Sequence, residues 1–303
     1  MPAAVVDWGT DENALTSTVS ALVGPKNGAY PAVNSLLVRG AGESVIIDPG
    51  ITVVERGGAP VPIDAVINSH SHEDHLAGNG LFDDARVHIH HDDLPGARSL
   101  DGLMAVYGLP DDARAAFEPA IVDEFHYSPR PDAAGFSDGH VFDLGGVSIE
   151  AVHLPGHTRG HSGFRVDGVF YLSDIDLTGF GPYYGDAWSD LDDFIESLAK
   201  VRTEDAHAYV TSHHKGIIED RTTFVEMVDA FGGVIDRRDA EMREFLAEPH
   251  TIAEMAARRF IYRPHVEMPF VESVERRSAQ LHVDRMLRHG AATEVEPGRF
   301  QAA

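Results

Sequence analysis

Three imidazoles and two carboxylates stand within six residues in His70-Ser71-His72-Glu73-Asp74-His75, directly after a short apolar run over residues 62–68. In an extended loop, positions 70 and 72 point to the same side, so their nitrogens can converge on one cation. Asp74 and His75 would open the next helix and can face a second cation. Two metals sharing an oxygen at about 3.5–4 Å form a hydrolytic arrangement. A bound cation lowers the pKa of water from 15.7 to about 7, so hydroxide is available at neutral pH without a separate strong base. The competing reading is a solvated histidine-rich turn. A strand before the cluster and Gly78 and Gly80 after it argue against that.

The elements that must carry this cluster read as short strands separated by turns. Residues 34–39 and 43–47 are β-rich around Gly40-Ala41-Gly42, which predicts a hairpin, and the second runs into Asp48-Pro49-Gly50. Residues 86–90 form another strand, and 93–117 read as helical stretches with breakers at Pro95 and Gly108. Strands return at 141–144, 147–153, 162–166 and 169–173, a helix at 191–201 and a last strand at 208–211. Two blocks of strands followed by helices predict an α/β sandwich with two related halves. The tail differs in charge. Residues 1–250 hold 16 Lys/Arg against 42 Asp/Glu, whereas residues 251–303 hold 8 against 7. Thr251 and Glu254 fit a capping box, residues 273–288 an amphipathic helix, and 293–300 a hairpin, an order that is winged-helix-like.

Composition bounds the chemistry. A net charge of −25 over 303 residues, with only three lysines (Lys26, Lys200, Lys215), repels phosphate backbones and anionic membranes. Zero cysteines exclude a disulfide scaffold, a thiolate nucleophile and any sulfur-built zinc site. Eighteen histidines supply the commonest metal-ligating side chain instead. No segment approaches the length of apolar sequence that spans a bilayer, and the N-terminus shows no leader pattern, so a cytoplasmic location is expected.

The pattern His70-x-His72-x-Asp74-His75, preceded by Ile46-Ile47-Asp48-Pro49-Gly50, resembles the signature of the metallo-β-lactamase superfamily. Later segments agree in order: Leu154-Pro155-Gly156-His157-Thr158-Arg159-Gly160-His161-Ser162, then Phe170-Tyr171-Leu172-Ser173-Asp174, then Val210-Thr211-Ser212-His213. The resemblance covers about residues 30–215 and implies an αββα four-layer sandwich over 1–248, with a mainly helical, winged-helix-like unit over 249–303. It also implies one metal held by His70, His72 and His157, another by Asp74, His75 and His213, and Asp174 bridging. Asp74 is read as a catalytic group as well. Asp176 competes with Asp174, and His214 with His213. His161 is expected to fix the Pro-Gly-His turn, and Asp48 to orient the ligand loop. The all-nitrogen and oxygen donor set suits two divalent ions, zinc foremost, with iron or manganese compatible.

The aromatic loop over residues 178–188 emerges beside Asp174 and is expected to wall the pocket, with Phe180 and Trp188 against substrate. Tyr183 or Tyr184 could donate to a developing oxyanion, and Arg159 could steer an acidic substrate. The expected activity is hydrolysis of a small ester, thioester or lactone by a metal-bridging hydroxide. An endoribonuclease or phosphodiesterase is the alternative, suggested by the winged-helix-like tail and opposed by the charge. A glutathione-thioester hydrolase is set aside, because it is expected to carry a different C-terminal segment. Partners are expected to be a small-molecule substrate and a second copy in a homodimer, with neither membrane nor nucleic acid.

Overall fold

A computed structural model describes residues 3–303. A seven-stranded sheet runs in the order Glu12–Ala14, Val19–Leu22, Ser35–Arg39, Ser44–Ile47, Ala65–Ile67, Arg86–His90, Ala134–Phe136, with the first three pairings antiparallel and the last three parallel. The second sheet, of six strands, runs Val141–Asp143, Ser148–His153, Ser162–Val166, Val169–Ser173, Ala208–Thr211, Ile217–Ile218. Only its fourth pairing, between Val169–Ser173 and Ala208–Thr211, is parallel.

Alternation along the strands sets the layers. Leu36, Val38, Val45, Ile47 and Ile67 enter the core between the sheets, where they meet Ile149, Phe164, Tyr171 and Val210. Their neighbours Leu37, Ile46 and Val66 face outward onto Leu76, Leu103, Met104 and Ile121 from helices. On the far side, Val152, Phe170 and Tyr209 pack against Phe194 and Leu198 of Leu191–Val201 and Phe224 and Phe231 of Arg221–Phe245. Helices therefore cover both outer faces, giving the expected αββα sandwich, and strands buried on both sides read as unbroken apolar runs.

Some local expectations shift for physical reasons. Pro95 lies in the first turn of Leu94–Arg98, where its missing N–H has no helical partner to lose, so it opens a helix instead of breaking one. Gly108 closes Leu100–Tyr107 at φ 59°, a left-handed cap that favours glycine. The 25-residue helix Arg221–Phe245 carries no clear signal in the sequence, because Gly232-Gly233 interrupts its pattern. Packing overrides the propensity cost of about 1 kcal/mol per glycine.

Past that helix, His250–Thr251, Ala292–Glu296 and Arg299–Ala302 form a small three-stranded sheet beside the helices Ile252–Arg258 and Val271–Arg288. The capping box of Thr251 and Glu254 is formed. Met242 and Leu246 pack with Met255, Ala279 and Met286 in this region, so the long helix enters two cores. Among the described residues, no helix is long and apolar enough to cross a membrane.

Candidate metal centre

Four strands from both sheets end at one edge of the sandwich, and each delivers a donor there. His70 follows Ala65–Ile67, His157 follows Ser148–His153, Asp174 follows Val169–Ser173, and His213 follows Ala208–Thr211. His157 Nε2 lies 3.3 Å from His70 Nε2 and 3.0 Å from His72 Nδ1, so three ring nitrogens converge. Asp174 Oδ2 closes this group at 3.3 Å from His157 Nε2 and 3.9 Å from His70 Nε2.

The second group faces the first across the same carboxylate. Asp174 Oδ1 is 2.9 Å from His75 Nε2 and 3.6 Å from His213 Nε2, while Asp74 Oδ2 is 3.2 Å from His213 Nε2. His75 Nε2 and Asp174 Oδ1 are buried yet make no hydrogen bond. Buried polar atoms of this kind call for a partner, and a cation between them supplies one; the donor set fits a divalent metal in each group.

The nitrogen that each imidazole turns away from the centre has its own contact. His70 Nδ1 lies 3.0 Å from Ser69 Oγ and His75 Nδ1 2.9 Å from Asp48 Oδ2, while His72 Nε2 makes an ion-pair contact with Asp186 Oδ2 at 3.0 Å that is not aligned as a hydrogen bond. His157 Nδ1 meets the Tyr183 carbonyl at 3.0 Å, and His213 Nδ1 those of Gly28 and Ala32 at 2.7 and 2.9 Å. Such contacts set the tautomer and aim of a ligand ring. Asp48 also accepts from Ser69 N, Ser69 Oγ and Tyr171 Oη, and His161 Nε2 accepts from Asp174 N.

Charges inside the centre are strongly coupled. Burial, with the neighbouring His75, holds His70 well below the ordinary imidazole value, which leaves it neutral. Burial opposes the charge on His213, but Asp174 and Asp176 outweigh it and raise its pKa to about 10. His72 is raised to about 9, with Asp186 outweighing burial in the same way.

The match to known proteins follows the same stretch of chain. A family model described as the metallo-beta-lactamase superfamily matches residues 30–213, which include all seven converging donors. The chain belongs to the metallo-beta-lactamase superfamily. Among curated relatives, the hydroxyacylglutathione hydrolase of Aeromonas salmonicida (strain A449) is 26% identical over 187 residues, 58% of this chain and 61% of that protein. An acyl-coenzyme A thioesterase of Bos taurus is 28% identical over 145 residues, 42% of this chain and 51% of that protein. The chain thus matches less than two thirds of either relative's length. A metallo-beta-lactamase family protein from Thermus thermophilus superposes with a TM-score of 0.70 at 21% identity, covering 96% of this chain and 100% of that one. A beta-lactamase domain protein from Burkholderia ambifaria gives 0.71 at 18%, covering 100% and 95%. At these identities the two structures show the superfamily fold alone.

Within this superfamily fold five of the donors, His72, Asp74, His157, Asp174 and His213, form the floor of a cavity of about 430 Å³. Tyr183 lines it and donates to Asp186 Oδ1 at 3.1 Å, and Phe180 lines its mouth. Asp176 and His214 also line it, beside Asp174 and His213. Three expected substrate or catalytic residues stand elsewhere. The Tyr184 hydroxyl turns into the protein, 3.0 Å from His282 Nε2 and 3.0 Å from Arg238, because adjacent residues of the loop point to opposite sides. Arg159 is exposed and lies 4.9 Å over the Trp188 ring, so the two cover each other outside the cavity.

Other residues contribute without a signal in the sequence. Buried Asp93 accepts from Ser71 N, Thr158 Oγ1 and Gly160 N, tying together the two histidine loops. Glu73 accepts from the hydroxyls of Tyr30 and Tyr107. Buried Arg238 donates to the carbonyls of Phe180 and Pro182 at 2.7 and 2.6 Å. Buried Glu275 accepts from Phe260 N, Ile261 N and Tyr262 N, which sets Tyr262 in the cavity wall. The histidine cluster could have flagged Glu73, which lies inside it; nothing local marks the others.

Proposed function

We propose that the chain is a dinuclear metal-dependent hydrolase of a small carboxylic thioester, ester or lactone. The observation that carries this reading is the pair of donor groups, His70–His72–His157 and Asp74–His75–His213, that face each other across Asp174 beneath an aromatic cavity. Relatives named as thioester hydrolases support it and move thioesters ahead of the other two substrates, including the glutathione class that the sequence set aside.

His70, His72 and His157 would hold one divalent ion, Asp74, His75 and His213 the other, and Asp174 both; zinc is the first choice. When bound, the ions supply an acidified water and polarise the carbonyl under attack. The chain's own part is to aim the rings through Asp48, Asp186 and the backbone carbonyls, and to exclude bulk water with the aromatic wall. Tyr183, whose hydroxyl donates to Asp186 in the cavity wall, would exchange that contact for the substrate's carbonyl oxygen as charge develops there. Residues 249–303 serve as a unit that builds the pocket wall. The phosphodiesterase alternative gains no support, since among the described residues no lysine or arginine lines the cavity.

Elemental analysis of purified protein, joined to a panel of thioesters, lactones and phosphodiesters, tests the reading. Two equivalents of a divalent metal with thioester turnover are expected. Metal-loaded protein that cleaves phosphodiesters and no acyl compound overturns it.

A further inference from the structure

We infer that the cavity takes an uncharged, apolar acyl group and that any anionic carrier of that group stays outside. The cleavage part of this statement rests on the hydrolase reading; the binding part does not. Above the floor the walls are the rings of Tyr30, Tyr107, Phe117, Tyr183, Tyr262 and Phe270. Glu73, Asp176 and Asp186 add three carboxyl groups to those of Asp74 and Asp174, and among the described residues no lysine or arginine faces them.

Of the four tyrosine hydroxyls on the wall, three are already engaged. Tyr30 and Tyr107 donate to Glu73, and Tyr183 donates to Asp186. A carboxylate held between the walls, above the imidazoles of the floor, would give up its water for carboxyl oxygens and apolar rings, an uncompensated burial of charge. An apolar acyl group meets the reverse situation, because the rings offer their faces and three of their four hydroxyls are satisfied. A volume of about 430 Å³ suits a ring-bearing or medium-chain acyl group.

The mouth continues the same character. Tyr30, Phe180 and Met268 line it while remaining 47%, 41% and 47% exposed. Lys215 borders a separate outer groove together with Phe180 and His214. A charged carrier such as a nucleotide or an acidic peptide would lie there, beyond the rim.

Two measurements test the inference separately from the hydrolase reading. Zinc-loaded protein is assayed on hexanoyl and adipoyl thioesters of one neutral thiol, which differ by a terminal carboxylate. The hexanoyl compound should show kcat/KM about tenfold higher or more, and Met268→Arg should narrow that gap about fivefold by placing a cation at the rim. Metal-free protein is then titrated with 4-phenylbutanamide and 4-phenylbutanoate by calorimetry, where the amide should bind and the carboxylate should not. Equal or better turnover of adipoyl thioester overturns the inference and leaves the hydrolase reading standing. Binding of the amide with no turnover of either thioester supports the inference and removes the hydrolase reading. Binding of neither compound, or preference for the carboxylate, overturns the inference.

Discussion

At the floor of the cavity each imidazole is held by a contact to its outward nitrogen, from Asp48, Asp186, Ser69 or a backbone carbonyl. Along the wall the held groups are stretches of backbone, gripped by the buried charges Arg238 and Glu275. The floor constrains the direction of every ligand ring, whereas Arg238 and Glu275 constrain where the wall loops lie and make no hydrogen bond to the rings of Phe180, Tyr262 and Phe270. Ligand geometry tolerates little error, while an apolar pocket accepts a range of shapes, so the two regions are built to different tolerances.

The largest expected effect breaks the floor alone. His70→Ala or His157→Ala should remove metal from the first group and lower turnover by roughly a thousandfold or more. Ligand binding by metal-free protein, which reports on the wall, should persist in calorimetry. Glu275→Ala is the converse. It strips the N–H groups of Phe260, Ile261 and Tyr262 of their charged acceptor, and should cost about 2–4 kcal/mol in denaturant unfolding and raise KM, with metal content intact. Equal loss of metal in this variant would end the distinction between floor and wall.

Asp186 touches both regions, through His72 Nε2 and the Tyr183 hydroxyl. Asp186→Asn should therefore weaken metal binding about 10–100-fold, measured by chelator competition, and shift the pH profile of turnover. A change in KM alone would assign it to the wall. Acidity sharpens the same contrast. In metal-free protein His72 and His213 have pKa values raised to about 9 and about 10, so both carry protons at pH 7. Their contribution to stability is present below the unfolded value of about 6.5 and is lost as pH rises through 9 and 10. Metal must displace these protons, so affinity should climb with pH, and calorimetry in buffers of different ionisation enthalpy should register proton release at pH 7. The smallest effect separates two neighbours. Tyr183→Phe should lower kcat up to about tenfold with metal retained, whereas Tyr184→Phe should leave kcat unchanged and cost about 1–2 kcal/mol of stability.

Much of the floor was legible because its signals are local. The expected helix over residues 191–201 coincides with Leu191–Val201, and the expected strand over 169–173 with Val169–Ser173. The spacing of His70 and His72 along an extended chain suffices to bring their nitrogens together, and the capping box needs only Thr251 and Glu254. Tyr183 and Tyr184 could not be told apart, since the side that each faces depends on Arg238 and His282, 54 and 98 residues away.

The amino-acid order by itself determined the alternating strands, the donor types and their grouping into the superfamily pattern, because period and spacing act over a few residues. Tertiary structure alone decided that Asp93 ties two histidine loops together, that Glu275 places Tyr262 in the wall, and that Arg159 and Trp188 lie outside the cavity. Those outcomes depend on which distant segments pack together, and a buried charge acquires its partner only when the surrounding layers have closed on it.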